Sequence, residues 1–354
     1  MKFLSKTSSK PTAAADAYMS SPDVERALTA RYLARIFQRR DLTARSLRSV
    51  TVWAYEYASN TGVNLPDRLN TLLEDYYSSS FDHRALELLI NKERPNILEM
   101  LNKAAAEAEP PEPLAGNTRT LVEALKLPHA DATWKLVGLV ACCTRYDQVN
   151  QLTHNLTETT KPLTRAIAML IDEPVRLVED LIQPTSELIA SGLIQLQEDS
   201  EYLAHYNGRL KIPNRVDDAL DRKFDDFNAM RNMLLGNALQ SVNTADDFEH
   251  VAIDRDILAQ VLKGASREGA RGINVLIYGP PGSGKTEMAK IAANLAGLSL
   301  YAAGEDVANA SESGRADRLG DLVFAQRLSR DQPGAALMFD EMEDVAVHLI
   351  KRGG

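Results

Sequence analysis

The stretch from Asn274 to Thr286, Asn-Val-Leu-Ile-Tyr-Gly-Pro-Pro-Gly-Ser-Gly-Lys-Thr, constrains this 354-residue chain more than any other. Val275, Leu276, Ile277 and Tyr278 form a short apolar run rich in strand formers, the turn that follows carries three glycines, and a helical pattern opens at Glu287. Strand, glycine turn and helix in this order build a cradle for phosphates. Gly279, Gly282 and Gly284 let the backbone curl without a Cβ in the way, with Pro281 and Ser283 completing the turn, so that successive N–H groups face inward. The helix that begins near Lys285 and Glu287 adds the positive end of its dipole. Lys285 is placed to reach the β- and γ-phosphates of a triphosphate, and the Thr286 hydroxyl to ligate Mg²⁺.

The second half of the expected site lies downstream. Ala335 to Phe339 reads as a buried parallel strand that delivers Asp340 and Glu341 at its carboxyl end, where open α/β sheets hold their ligands. Asp340 is the candidate metal holder, and Glu341 the candidate catalytic residue that orients the attacking water, beside Lys285 on the phosphates. Asp340 lies 54 positions beyond Thr286, which leaves room for a helix, a strand and a second helix. Ser299 to Ala303 is the expected strand and Gly314 to Leu328 the expected second helix, whose Arg315, Arg318 and Arg327 are candidates for contacts between subunits.

Taken together, Gly-Pro-Pro-Gly-Ser-Gly-Lys-Thr and Leu-Met-Phe-Asp-Glu-Met-Glu-Asp-Val resemble the Walker A and Walker B motifs of the AAA+ ATPases, over roughly Phe248 to Gly354. The resemblance implies a P-loop domain that binds ATP with Mg²⁺ and hydrolyses it to ADP and phosphate. It also implies remodelling or disassembly of protein clients by a homo-oligomeric, hexameric ring. It further implies that Val251 and Ile253, about thirty residues before the loop, line the adenine pocket. In threading machines of this kind an aromatic-hydrophobic-glycine tripeptide lies in the corresponding loop, whereas Val307 to Gly314 has no aromatic residue, which counts against threading. The chain stops at Gly354, thirteen residues after Glu341. The expectation is therefore a fragment, a partial α/β domain cut after Walker B, without sensor strand, arginine finger or helical lid. Its hydrolysis is expected to be slow, since an arginine finger is worth about 10³ to 10⁵ in rate.

Upstream of this domain the chain reads as mainly α. Residues 1–103 form an expected helical domain, with a helix opening at Ser21-Pro22-Asp23 and Arg31, Arg35 and Arg39 four apart on one face. That face is expected to be solvated, or else to meet an acidic partner. Residues 104–117 are a Pro-rich linker and the first expected boundary. Residues 118–215 carry helices around Thr133–Thr144, Leu163–Ile171 and Val175–Leu181, the last two separated by Asp172-Glu173-Pro174. Two short alternating runs follow, at 193–197 and 209–213, and helices closed by such a ribbon resemble a winged-helix domain. Residues 216–247 supply a connecting helix over 216–235 and an acidic linker, and 248–354 the ATPase part.

Charge narrows the partners. The net charge is −9, and residues 121–215 hold nine Lys/Arg against twelve Asp/Glu, whereas phosphate backbones need a basic face. A protein client is therefore favoured over nucleic acid for the winged-helix-like part. The alternative is a nucleotide-dependent switch or DNA-associated regulator that uses this domain as its output. Cys142 and Cys143 are adjacent, too few for a disulfide framework, and fit buried thiols in a reducing cytoplasm. The amino terminus lacks an apolar signal core and no apolar run has membrane-spanning length, so a cytoplasmic chain with no membrane partner is expected.

Overall fold

The computed structural model describes residues 22–58, 62–105, 111–160, 163–196, 210–270, 272–303, 315–330, 332 and 334–340. The chain divides into two compact units, one of residues 1–189 with 194–223, the other of 190–193 with 224–354.

The first unit is helical: α1 (Pro22–Gln38), α2 (Ala44–Glu56), α3 (Asp67–Leu73), α4 (His83–Ala104), α5 (Leu114–Ala124), α6 (Ala130–Arg145), α7 (Asp147–Thr160), α8 (Leu163–Ile171), α9 (Val175–Leu181) and α10 (Asn214–Leu220). Local chemistry starts several of them. The Thr43 hydroxyl accepts from Ser46 N at the head of α2, and the Asp82 carboxylate from Arg84 N and Ala85 N at the head of α4. Buried leucines and isoleucines at helical spacing, such as Leu86, Ile90, Ile97 and Leu101 of α4, then drive packing. α1 lies against α4 and α7, and α2 against α7. The Pro-rich stretch 104–117, expected as a domain boundary, thus joins helices of one unit. Asn117 reinforces the join: its Nδ2 donates to the carbonyls of Ala219, Leu220 and Arg222 at 2.8–3.2 Å. Both tryptophans lie in this unit, Trp53 stacked on Tyr57 with centroids 5.2 Å apart and Trp134 beneath the Arg119 guanidinium at 4.2 Å.

Asp172 takes a left-handed φ of 55° between α8 and α9, and Pro174 opens α9, so the expected break falls where Asp-Glu-Pro predicts it. The carbonyls at the end of α8 lack partners within the helix, and Arg35 Nη1 donates to one of them, Leu170 O, at 2.5 Å. Arg39 pairs with Asp41 at 2.9 Å and Asp172 at 3.9 Å. The arginine face of α1 is therefore spent in part within the chain, a correction to its expected solvated or partner-facing role. The Ser21 cap expected before α1 lies outside the described residues.

The expected ribbon is present as β1 (Gln195–Leu196) paired antiparallel with β2 (Leu210–Lys211). Arg145, at the end of α6, is buried beside α10: it donates to Asp217 Oδ1 at 2.8 Å, Asp221 Oδ1 at 2.7 Å and the Asp217 carbonyl at 2.9 Å. Its two carboxylate partners satisfy a charge that burial alone disfavours. Cys142 and Cys143 are buried free thiols.

The second unit contains α11 (Phe227–Leu235), a 3₁₀ turn at Asp246–Val251, α12 (Ala252–Glu268), α13 (Lys285–Leu295), β3 (Ser299–Ala302), α14 (Arg315–Ser329) and β4 (Ala335–Met338). The single helix expected over 216–235 is two, because the Asp226 carboxylate accepts from Ala229 N at 2.8 Å and starts α11 afresh. β3 and β4 pair in parallel, Ser299 opposite Ala335 and Ala302 opposite Met338, with α13 preceding β3 and α14 lying between the two strands along the chain. Leu239 N donates to Leu300 O at 2.7 Å.

The strand expected at Val275–Tyr278 is not formed. Residues 272–279 have no regular structure, and Val275, Leu276 and Tyr278 are 49%, 76% and 88% exposed. Strand propensity expresses a fit to a half-buried, hydrogen-bonded surface, and no described strand lies alongside to offer one. No helix among the described residues is long and apolar enough to cross a membrane.

Candidate functional site

The glycine turn keeps its expected shape without the strand. Gly282 and Gly284 have φ of 77° and 81°, backbone that a Cβ would strain. Ser283 N closes a turn on Pro280 O at 3.2 Å, and Met288 N donates to Gly284 O at 2.8 Å to start α13. The first turn of α13 thus sets the free N–H groups of Lys285 and Thr286 next to the glycines, at the positive end of the helix. Lys285 Nζ folds over the loop and donates to Gly279 O and Pro280 O, both at 3.1 Å. These are exposed bonds, and a phosphate oxygen competing for the same ammonium offers a full negative charge in place of two carbonyl dipoles.

Thr286 and Asp340, 54 residues apart, meet: Thr286 Oγ1 donates to Asp340 Oδ2 at 2.8 Å. Asp340 lies two residues beyond the last residue of β4, so the end of the parallel strand faces the start of α13. A hydroxyl and a carboxylate oxygen brought together are the hard donors that Mg²⁺ takes, and that ion commonly uses one or two protein carboxylates with water and phosphate oxygens for the rest. The donor set fits. Glu341 lies outside the described residues.

Glu287 is tied down on the loop's flank. Lys290 Nζ donates to one of its carboxylate oxygens at 2.7 Å and Ser241 Oγ to the other at 2.7 Å, and these bonds hold the carboxyl below its usual range. Its carboxylate is thereby occupied by Lys290 and Ser241, in the first turn of α13.

Of the two residues expected to line an adenine pocket, Ile253 is 77% exposed on α12 and Val251 is half-buried at its head. The side chain that comes against the loop is Phe248, 7% exposed: a Cβ on Gly284 would lie 3.0 Å from its Cε1 and 3.2 Å from its Cζ. His250 stacks on the Phe248 ring with centroids 6.0 Å apart. The sequence signal for Phe248 was its place at the first residue of the 248–253 segment, where an aromatic ring can pack on a glycine that has no side chain. Arg318, a candidate for a subunit contact, donates within the chain to the Asp340 carbonyl at 2.7 Å.

A family model described as "ATPase family associated with various cellular activities (AAA)" matches residues 275–349. Over 114 residues, 30% of this chain, the sequence is 36% identical to the Holliday junction branch migration complex subunit RuvB of Nocardia farcinica, covering 31% of that protein. It is 42% identical over 93 residues, 26% of this chain, to the same-named protein of Corynebacterium glutamicum, covering 23% of it. It is also 35% identical over 119 residues, 31% of this chain, to a probable inactive ATP-dependent zinc metalloprotease, FTSHI 4, of Arabidopsis thaliana, covering 13% of it. The chain thus spans about a third or less of the length of these relatives. No solved structure matches.

Proposed function

From its membership of the AAA+ ATPase superfamily we propose that this chain binds ATP with Mg²⁺ and couples its hydrolysis to the remodelling of a protein client. The observation that carries the reading is the Thr286–Asp340 contact at 2.8 Å, which joins the loop after residue 278 to the end of a parallel strand. In this reading Lys285 neutralises charge on the β- and γ-phosphates, and the backbone N–H groups of Gly282 to Thr286 line them. Thr286 and Asp340 hold the metal, Asp340 mostly through water, and Glu341 polarises the attacking water. Mg²⁺ supplies the charge that the transferring phosphoryl group needs. The adenine side would draw on Val251 and Ile253, with Phe248 at the loop. A homo-oligomeric ring is the expected working form.

A second reading is favoured by one observation: several of the similar proteins are named as subunits of a Holliday junction branch migration complex. That likeness covers about a third of the chain, and in this reading the output belongs to the rest. The helices α8 and α9 followed by the β1–β2 ribbon support a winged-helix-like docking module in the first unit, and its acidic balance suits a protein better than DNA.

The test is equilibrium binding of a fluorescent ATP analogue together with phosphate release. Lys285→Ala should abolish binding and Glu341→Gln should preserve binding while slowing turnover. Near-normal affinity in a folded Lys285→Ala variant would count against the site. Stimulation of turnover by DNA, falling steeply with salt, would replace the protein client with the second reading.

A further inference from the structure

The three glycines of the loop differ in what lies where a side chain would be. At Gly279 the nearest groups belong to the loop itself, Ser283 Oγ at 3.1 Å and Lys285 Cδ at 3.9 Å, and at Gly282 no described atom lies within 4 Å. At Gly284 the nearest atoms come from outside the loop: Phe248 Cε1 at 3.0 Å and Cζ at 3.2 Å from the position of a Cβ. The ring edge fills the volume that glycine leaves free, at the residue whose φ of 81° turns the chain into α13.

A segment held at several points delivers that ring. Thr244 N and Oγ1 both donate to Asp247 Oδ2, at 2.8 and 2.9 Å, and these bonds keep the Asp247 carboxyl below its usual range. Phe248 N closes on Ala245 O at 3.1 Å, and the buried Arg255 of α12 donates to the same carbonyl at 2.5 Å. Upstream, Ser241 Oγ donates to Glu287 in the first turn of α13, and Leu239 N to Leu300 O in β3. Residues 239–248 thus touch β3, α13 and the loop in turn, and Phe248 is the contact with the loop.

We infer that Phe248 is a positioning residue for the glycine loop: its ring holds Gly284 in the left-handed bend from which the N–H groups of Lys285 and Thr286 follow. The inference rests on the proposed nucleotide reading and deepens it. A glycine left to itself visits left- and right-handed backbone about equally. An anion that needs this bend would then have to order it on binding, a cost that the packed ring removes in advance. Restraining the main chain of one residue corresponds to about five- to thirtyfold in affinity. A ring that stacked on the base of a nucleotide would act on a different part of the ligand, and this separates the two roles.

The full chain is loaded with a fluorescent ATP analogue and Mg²⁺, and the analogue is displaced by ATP or by inorganic tripolyphosphate, which has the phosphates without sugar or base. For Phe248→Ala both competitors should weaken by the same factor, about tenfold. Phe248→Leu should return both to within about threefold of wild type, because a branched apolar side chain still fills the space beside Gly284. Phe248→Val should fall between the two and carries the comparison if the alanine variant does not fold. A urea midpoint on each variant reports lost packing separately: a ring that served stability alone would lower the midpoint and leave the affinity of the folded protein unchanged. That outcome overturns the inference, as does a loss confined to ATP, which would make Phe248 a base contact. Tripolyphosphate that fails to displace the analogue from the wild type overturns it too. Failure of the wild-type chain to bind the analogue overturns the site reading and the inference with it.

Discussion

Replacing Gly284 by alanine tests the loop with two physical effects of known size. Gly284 immediately precedes α13 at φ 81°, ψ 18°, and an L-residue in that left-handed region costs about 1–2 kcal/mol. The new methyl group would also lie 3.0 and 3.2 Å from two carbons of the Phe248 ring, a few tenths of an ångström inside the optimal carbon separation of about 3.5–4.0 Å. A mild overpacking of this kind adds about 1 kcal/mol. The loop conformation is thus penalised by about 2–3 kcal/mol, or about 30- to 150-fold on any ligand that requires it. Binding of a fluorescent ATP analogue measures the loss directly. Gly284→Ala with Phe248→Leu removes the aromatic obstacle and leaves the backbone strain, so about fivefold should return and the remainder should not. Complete recovery in the double variant would remove the backbone argument, and an unaffected single variant would mean that nucleotide does not use this loop shape.

Two further outcomes concern the first unit. Arg145→Met should lower its urea midpoint, followed by helical dichroism, by the equivalent of about 2–3 kcal/mol, below the full cost of breaking a buried pair because Asp217 and Asp221 keep some solvent. Adding Asp217→Asn should return part of that, and an unchanged midpoint in the single variant would show that the cluster contributes nothing net. Asp131 sits below the ordinary aspartate range because Lys135 donates to it at 2.6 Å, with Trp134 adding a second bond. A depressed folded-state value means stability present above the unfolded value and lost as pH falls through the folded one. Asp131→Asn should flatten that acid limb by less than about 1 kcal/mol, and the difference should shrink in high salt.

The site was legible where chemistry is local. Three glycines, a lysine and a threonine in fixed order specify a turn and a helix start, and Ala335–Met338 declares a strand by its unbroken apolar run. The spacing of Thr286 and Asp340 left room for a helix, a strand and a second helix, and the structure brings the two side chains to 2.8 Å. What escaped the sequence depends on partners. Val275 to Tyr278 has the composition of a strand, but a ladder needs a neighbour, which propensity does not provide. Arg35 and Arg318 look like surface charges on helical faces, yet each finds a carbonyl at the end of another element: Leu170 for one, Asp340 for the other. Long flexible cations reach groups that periodicity does not index. The break before α11 was present in the sequence as Asp226, read through as part of one amphipathic run although its carboxylate is a strong helix starter.

Both indole rings of this chain reside in the helical first unit, at 53 and 134, while the glycine loop and the Thr286–Asp340 pair belong to the second. The second unit is therefore dark when tryptophan alone is excited, and the emitted light describes only the first. Any shift in that emission on adding a nucleotide to the unlabelled protein therefore reports a change around residues 53 and 134 of the first unit, and leaves the glycine loop to be watched by a probe of its own.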